Sequence, residues 1–173
     1  MKILTIADKK DEKFLRQKTR PVDFSGFTKA ELRKLISEMR AAMKAADGIG
    51  LSANQFGFDS RFFIAELPDQ KKGLHKLYAI FNPEITKRAG EVAELEEGCL
   101  SVPGKYGKVQ RYEKVTLSGL DQSGKPLKIK AWGLLAHVFQ HEIDHLNGTL
   151  FVDKAIELYD APKSERLKQK RNK

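Results

Sequence analysis

The chain has 173 residues, 40% of them apolar, and a formal net charge of +9. This length is that of one compact domain, and no apolar run approaches the roughly 20 residues that a membrane-spanning helix needs. The first residues show no apolar stretch with a small-residue cleavage site. We therefore expect a single domain in the cytoplasm, without a membrane partner.

The positive charge is concentrated at the C-terminal end. Residues 163–173 contain six lysines and arginines and one glutamate, a net charge of +5. We assign residues 1–162 to the domain and residues 163–173 to a basic tail, which has few apolar residues with which to pack. Such a segment is suited to a polyanion, although surface lysines also serve solubility alone.

The first predicted element is an amphipathic helix near the N-terminus. Thr28 and Glu31 form a capping box, and apolar residues follow at helical spacing, which predicts a helix from Thr28 to about Ala46. The sequence GIGLSANQ comes next, at residues 48–55. It is too rich in glycine for a helix and predicts a loop that leads into a strand.

Short runs of β-branched and aromatic residues follow at residues 61–66, 76–81 and 109–120. A Gln-Ser-Gly-Lys turn separates the last run from another at residues 126–131, which predicts a β-hairpin. Helical spacing returns over residues 132–146. Antiparallel strands that are segregated from helices in this way predict an α+β fold.

The clearest chemical signal is the sequence His-Glu-Ile-Asp-His at residues 141–145. Residues four apart share one face of a helix, so His141 and His145 can bind one metal ion while Glu142 reaches a bound water. His137 continues the series, but it lies two turns, or about 12 Å, from His145, so one ion cannot bind all three. Because only the later pair forms HExxH, we place His137 at the adjoining cleft.

A catalytic metal site needs a third protein ligand and an open position for water. Cys99 is the only cysteine, and its neighbours in Glu-Gly-Cys-Leu-Ser predict a tight turn. A free cysteine taken alone is more often a buried apolar residue, but beside two histidines it is the candidate third ligand. Gln55 and the backbone N–H of Leu100 are candidate donors to the oxygen of a carbonyl under attack.

Three motifs in this order, GIGLSANQ (48–55), EGCLS (97–101) and QHEIDHLNG (140–148), resemble those of the peptide deformylases. The similarity continues through Arg111 and the sequence Leu-Phe-Val-Asp at residues 150–153, so it covers nearly the whole chain. The resemblance implies a small α+β fold in which antiparallel strands surround a central helix with the HExxH motif. It also implies removal of the N-formyl group from the first methionine of new polypeptides, with release of formate.

The resemblance implies the same roles that the residues suggested. Cys99, His141 and His145 would be the metal ligands, and Glu142 would pass a proton to the leaving amine. Family members typically use Fe²⁺, which Zn²⁺ or Ni²⁺ often replaces. Two imidazoles and one thiolate suit each of these ions.

An extended peptide is the implied substrate, its backbone pairing with residues 48–51. Five residues would line the pocket for the methionine side chain: Ile49, Gly50, Leu134, His137 and Val138. His137 is polar where the family commonly has an aliphatic residue, which leaves the preference of this pocket open. Ser52 stands where alanine is common, and we interpret it as a minor change.

Two other classes of function stay open. An HExxH metallopeptidase would cleave internal peptide bonds and take its third ligand from a glutamate or histidine further along the chain. A ribosome-binding protein without enzymatic activity would use the basic tail to contact ribosomal RNA. Our preferred interpretation is the deformylase, which acts on N-formyl-methionine peptides and needs no DNA partner.

Overall fold

A computed structural model describes residues 2–68 and 75–161. These residues form three α-helices and one antiparallel sheet, which confirms the α+β prediction, and none of their helices is long and apolar enough to cross a membrane. The predicted basic tail lies outside them. The elements are α1 (Lys9–Leu15), α2 (Lys29–Ala45), β1 (Gly50–Ser52), β2 (Phe62–Pro68), β3 (His75–Cys99), β4 (Val102–Leu120), β5 (Pro126–Trp132), α3 (Gly133–Leu146) and β6 (Glu157–Asp160).

The sheet is organised around a long hairpin of β3 and β4, which have 25 and 19 residues. The strand order is β1-β2-β3-β4-β5, and β6 pairs with the first part of β4. The register of the hairpin shifts at several places. Such bulges bend and twist long strands, and the last of them lies at Gly98 and Cys99, where β3 ends.

The strands differ from the predicted runs. The separate runs at residues 76–81 and 109–120 belong to β3 and β4, which extend much further toward each other. Cys99 is the last residue of β3, directly before the turn that leads into β4. The predicted loop at residues 48–55 contains the short strand β1, and neither α1 nor β6 was predicted.

Helix α2 occupies the stretch predicted from Thr28 to about Ala46. The Thr28 hydroxyl accepts a hydrogen bond from the Glu31 N–H at 3.2 Å, and the Glu31 carboxylate accepts one from the Thr28 N–H at 2.7 Å. Each bond satisfies a donor that the first turn of a helix leaves free. One face of the helix is buried by five apolar side chains: Leu32, Leu35, Ile36, Met39 and Met43.

Strand β2 lies between two layers of helix. Phe62 and Ile64 belong to the apolar cluster with α2, whereas Phe63 and Ala65 belong to the cluster with α3. Successive side chains of a strand point to opposite faces, so β2 is buried on both. Both helices also contact β1, where Gly50 faces Val138 and Glu142 of α3, and Gly48 just before it faces Met43 near the end of α2.

Glu66 joins β2 to α2. Its buried carboxylate accepts hydrogen bonds from Arg40 Nε at 2.6 Å and Nη2 at 2.8 Å, and it lies 2.9 Å from Lys44 Nζ. The Arg40 hydrogen bonds lower the pKa of Glu66 to about 2 against the opposing effect of burial, and Lys44 adds to the lowering.

We expect Glu66→Gln to lower the free energy of unfolding by about 1 to 2 kcal/mol at pH 7, a value reduced for the exposure of Arg40 and Lys44. Because the folded pKa is depressed, this stabilisation is present above the ordinary glutamate pKa of 4.5 and is lost as the pH falls toward about 2. Urea denaturation from neutral to acidic pH measures it. Exposed Glu38→Gln is the control. If the free energy of unfolding of Glu66→Gln differed from that of the unchanged protein by the same amount at every pH, the result would contradict this expectation.

Candidate active site

The predicted metal ligands meet where the end of β3 approaches α3. Cys99 Sγ lies 3.1 Å from His145 Nε2, which lies 3.2 Å from His141 Nε2. The three donor atoms all lie within 4.8 Å of one another. The helix supplies both imidazoles from one face, and the strand end supplies the thiol.

These donors fit a single metal ion. Tetrahedral Zn²⁺ with bonds of about 2.0 to 2.3 Å separates its ligand atoms by about 3.3 to 3.6 Å, close to the spacings found here. Burial lowers the pKa of His145 well below its usual value, which favours the neutral imidazole that binds metals. Burial acts in the same direction on His141, but hydrogen bonds with Cys99 and Glu97 outweigh it and raise its pKa, so metal binding would release a proton.

Glu97, for which the sequence predicted no role, supports this site. Its Oε2 lies 2.7 Å from His141 Nδ1, and its Oε1 lies 2.7 Å from His137 Nε2. Arg111 donates to both oxygens, from Nε at 2.6 Å and from Nη2 at 3.1 Å. Burial opposes the charge of Glu97, but these donors outweigh it and hold the pKa of Glu97 well below its usual range. Metal-binding histidines usually need a partner such as a carboxylate on the outer nitrogen, and the position of Glu97 two residues before Cys99 is the sequence signal that could have suggested this role.

The Arg111 guanidinium also fixes α3 to the hairpin. Its Nη1 donates to Asp144 Oδ2 at 2.5 Å, and Lys154 Nζ lies 2.6 Å from Asp144 Oδ1. Arg111 on β4 therefore bridges Glu97 on β3 and Asp144 on α3. Because this bridge is buried, it restricts movement of the helix relative to Cys99.

Glu142 lies beside the histidines with its side chain buried. Its Oε2 accepts a hydrogen bond from the Ser52 hydroxyl at 2.5 Å, and the same hydroxyl lies 3.0 Å from the Glu142 carbonyl oxygen. Burial raises the pKa of Glu142 to about 7, although the Ser52 hydrogen bond opposes the rise. A carboxyl with this pKa can take up and release a proton near neutral pH. Ser52 therefore contacts Glu142, the predicted proton carrier, a contact that its interpretation as a minor change did not include.

Gln55 and Leu100 both border Cys99. The buried Gln55 amide accepts from the Ser52 N–H at 2.9 Å, and its Nε2 lies 3.4 Å from Cys99 Sγ and 3.0 Å from Ser101 Oγ. Leu100 directly follows Cys99 and lines the same cavity as Gln55. The structure thus places both predicted donors next to the third ligand.

A cavity of about 600 Å³ opens onto these groups. Ile49 and Leu134 are 44% and 55% exposed and form its rim. His137 lies in the wall, with its Nε2 bound to Glu97. All five residues predicted for the methionine pocket line this cavity, namely Ile49, Gly50, Leu134, His137 and Val138.

Gly50 lies directly against Glu142. A Cβ at this position would come within 2.9 Å of Glu142 Cδ and 3.1 Å of Val138 Cγ1. We expect Gly50→Ala to displace the Glu142 carboxylate and to lower kcat/KM for the N-formyl peptide that the family resemblance implies by about 100-fold, the scale of a 1 Å misplacement. Gly26→Ala is the matched control, since its Cβ would meet nothing within 4 Å. Equal activity of the two variants would contradict this close approach.

Comparisons with known proteins give a consistent family. The family model described as polypeptide deformylase matches residues 1–160. A peptide deformylase of Symbiobacterium thermophilum is 46% identical over 158 residues, which are 91% of this chain and 69% of that protein.

Solved structures agree with this match. A Synechococcus elongatus peptide deformylase in complex with actinonin is 35% identical, with a TM-score of 0.77 over 98% of this chain and 83% of that chain. A class I type b peptide deformylase of Acinetobacter baumannii with Met-Ala-Ser bound is 30% identical, with a TM-score of 0.78 over 89% of this chain and 97% of that chain. Because the family model matches nearly the whole of this chain, the chain belongs to the peptide deformylases, metal-dependent hydrolases that remove the N-formyl group from peptides.

Proposed function

We propose that Cys99, His141 and His145 bind the one divalent metal ion of this deformylase, with Fe²⁺ as the native ion and Zn²⁺ or Ni²⁺ as ions that the same ligands accept. The supporting observation is the approach of their donor atoms to within 4.8 Å of one another. Such an ion lowers the pKa of a coordinated water and polarises a carbonyl oxygen. Glu97 orients His141 through its Nδ1 and so directs its Nε2 toward the other two ligands.

Glu142 is the proposed proton carrier. Its carboxylate takes a proton from the attacking water and passes it to the amine that leaves when the formyl C–N bond breaks, so that formate and a free N-terminus result. The Ser52 hydroxyl holds Oε2 of this carboxylate. Gly50, which has no side chain, leaves the space that the carboxylate occupies.

Gln55 and Leu100 are the proposed donors to the developing oxyanion. The Gln55 side-chain amide and the Leu100 backbone N–H both lie beside Cys99, on the part of the chain that lines the cavity. A donor of this kind typically contributes about 10²- to 10³-fold to kcat. Their effect adds to that of Glu142, because they stabilise charge on the carbonyl oxygen rather than moving a proton.

The proposed substrate is an extended peptide that begins with N-formyl-methionine. Within the described residues β1 pairs only with β2, which leaves its other edge for the peptide backbone. The methionine side chain would enter the cavity between Ile49, Leu134 and Val138. The Met-Ala-Ser bound to the Acinetobacter baumannii relative is a peptide with methionine first, which supports this assignment.

We also propose a cellular setting for this activity. The domain of residues 1–162 would act in the cytoplasm on new polypeptides, with α3 as the central helix of its fold and α2 as its N-terminal amphipathic helix. The basic tail of residues 163–173 would contact ribosomal RNA through its net charge of +5. Ribosome cosedimentation that is sensitive to salt and lost on deletion of residues 163–173 would support the tail contact.

Three peptides test the substrate directly: formyl-Met-Ala-Ser, Met-Ala-Ser and a longer peptide with a blocked N-terminus. We expect stoichiometric formate from the first and no product from the other two. Cleavage of the blocked peptide into internal fragments without formate would overturn the proposal in favour of a metallopeptidase.

A further inference from the structure

The outer face of the sheet carries lysines that the proposed function does not use. Residues that pair directly across antiparallel strands point to the same side of the sheet. The pairing of β5, β4 and β3 therefore defines three rows on this face: Trp132, Lys114 and Ala89; Lys130, Thr116 and Lys87; Lys128, Ser118 and Glu84. The basic sheet face is the surface formed by Lys87, Lys114, Lys128, Lys130 and Trp132.

The four lysines of the basic sheet face are exposed, and none forms an ion pair within the described residues. Two carboxylates lie nearby: Glu84 ends the third row, and Glu113, next to Lys114, packs at Gly90. Positive charge therefore predominates. On β4 and β5 the alternate residues Val115, Leu117 and Ala131 are buried in the core, so the lysines of these strands lie on the outer side of the sheet.

The spacing of these groups suits a polyanion. Alternate residues of a strand lie about 6.7 Å apart and neighbouring strands about 4.8 Å apart, so the four ammonium groups can contact neighbouring phosphates. Trp132 is 43% exposed at one end of the face. An exposed aromatic ring among cations on a sheet can stack on an unpaired base, as in sheet-based RNA-binding domains.

We propose that the basic sheet face binds single-stranded RNA, with its lysines on the phosphates and Trp132 stacked on a base. An exposed aromatic ring beside the lysines of this face favours RNA over an anionic lipid surface, which offers no base for stacking. Gly133 follows Trp132 and begins α3, and Leu134 lies at the rim of the cavity. RNA bound to this face would therefore lie beside the rim of the active site. Its binding would not require the basic tail.

Two variants of the full chain with equal charge test this interaction. One carries Lys→Gln at positions 87, 114, 128 and 130, and the control carries Lys→Gln at four exposed positions on other surfaces, 9, 10, 13 and 29. Affinity for an oligouridine of about 15 nucleotides is measured by fluorescence anisotropy between about 50 and 200 mM KCl. Formate release from formyl-Met-Ala-Ser shows that both variants are folded.

We expect Kd for the oligouridine to rise at least about tenfold in the face variant, with the slope of log Kd against log salt reduced by about 2 to 3, since each single-strand phosphate contact adds roughly 0.7. The control variant should change far less. Equal binding by the two variants would overturn the proposal, because only total charge would then matter.

Trp132 is the only tryptophan of the chain and reports stacking directly. Its fluorescence should be quenched by the oligouridine, both in the full chain and in a chain without residues 163–173, and Trp132→Ala should weaken binding about fivefold or more. Binding without quenching would contradict the proposal. Quenching of Trp132 fluorescence by phosphatidylglycerol vesicles, without quenching by the oligouridine, would also contradict the proposal.

Discussion

Replacing Glu142 with glutamine should lower kcat for formyl-Met-Ala-Ser by about 10³- to 10⁴-fold, at the upper end of what a positioned acid or base contributes. Glutamine has nearly the same shape and can still accept the Ser52 hydrogen bond through its carbonyl oxygen, but it cannot carry a proton. The metal content should stay unchanged, because Glu142 is not among the three donors that meet. Formate release and elemental analysis of the same sample measure both.

The exposed Glu91→Gln on the hairpin is the control for this change of charge, and we expect its activity to be unaltered. Full activity of Glu142→Gln would exclude the proton role. Loss of metal together with activity would instead indicate that Glu142 maintains the site rather than moving a proton.

Replacing Glu97 with glutamine should have the largest effect on stability. The buried Arg111 would keep Asp144 but lose Glu97, the more deeply buried of its two anionic partners, and breaking a buried ion pair costs up to about 3 to 5 kcal/mol. His141 would lose the carboxylate on its Nδ1, so metal affinity should fall about 10- to 100-fold. Urea denaturation at pH 7 and competition with a chelator measure the two effects.

Glu94→Gln on the same strand is the matched control, because the Glu94 side chain is exposed and such surface changes usually stay within about 0.5 kcal/mol. A second change, Arg111→Met, should restore part of the stability of Glu97→Gln by removing the buried positive charge that Glu97 no longer balances. If Glu97→Gln had the stability and metal affinity of the control, the contacts of Glu97 with Arg111 and His141 would contribute neither to stability nor to metal binding.

The sequence predicted the three candidate ligands but not the residues that hold them in place. His141 and His145 follow from helical spacing, which is local, and the capping box of α2 is local as well. Cys99 meets them only because the β3–β4 hairpin ends beside α3, and no spacing in the sequence encodes that approach. Its assignment rested on the requirement for a third ligand and on the family resemblance.

Local sequence pattern did not predict the contacts of Glu97 or the full length of β3 and β4. Glu97 lies in the EGCLS motif, but its contacts with His137, His141 and Arg111 join three separate elements and exist only in the folded chain. Residues 84–96 of β3 are largely exposed and charged, so they lack the alternation of apolar and polar residues that marks a half-buried strand. Their pairing with β4 establishes the strand instead.

Formate release and metal content, measured together on anaerobically purified protein, test whether a metal ion held by Cys99, His141 and His145 is required for deformylation. We predict one metal ion per chain, activity that falls in proportion as a chelator removes the ion and returns with Fe²⁺, and loss of both metal and activity in Cys99→Ala. Full formate release from metal-free protein, or an unchanged metal content in Cys99→Ala, would contradict the account.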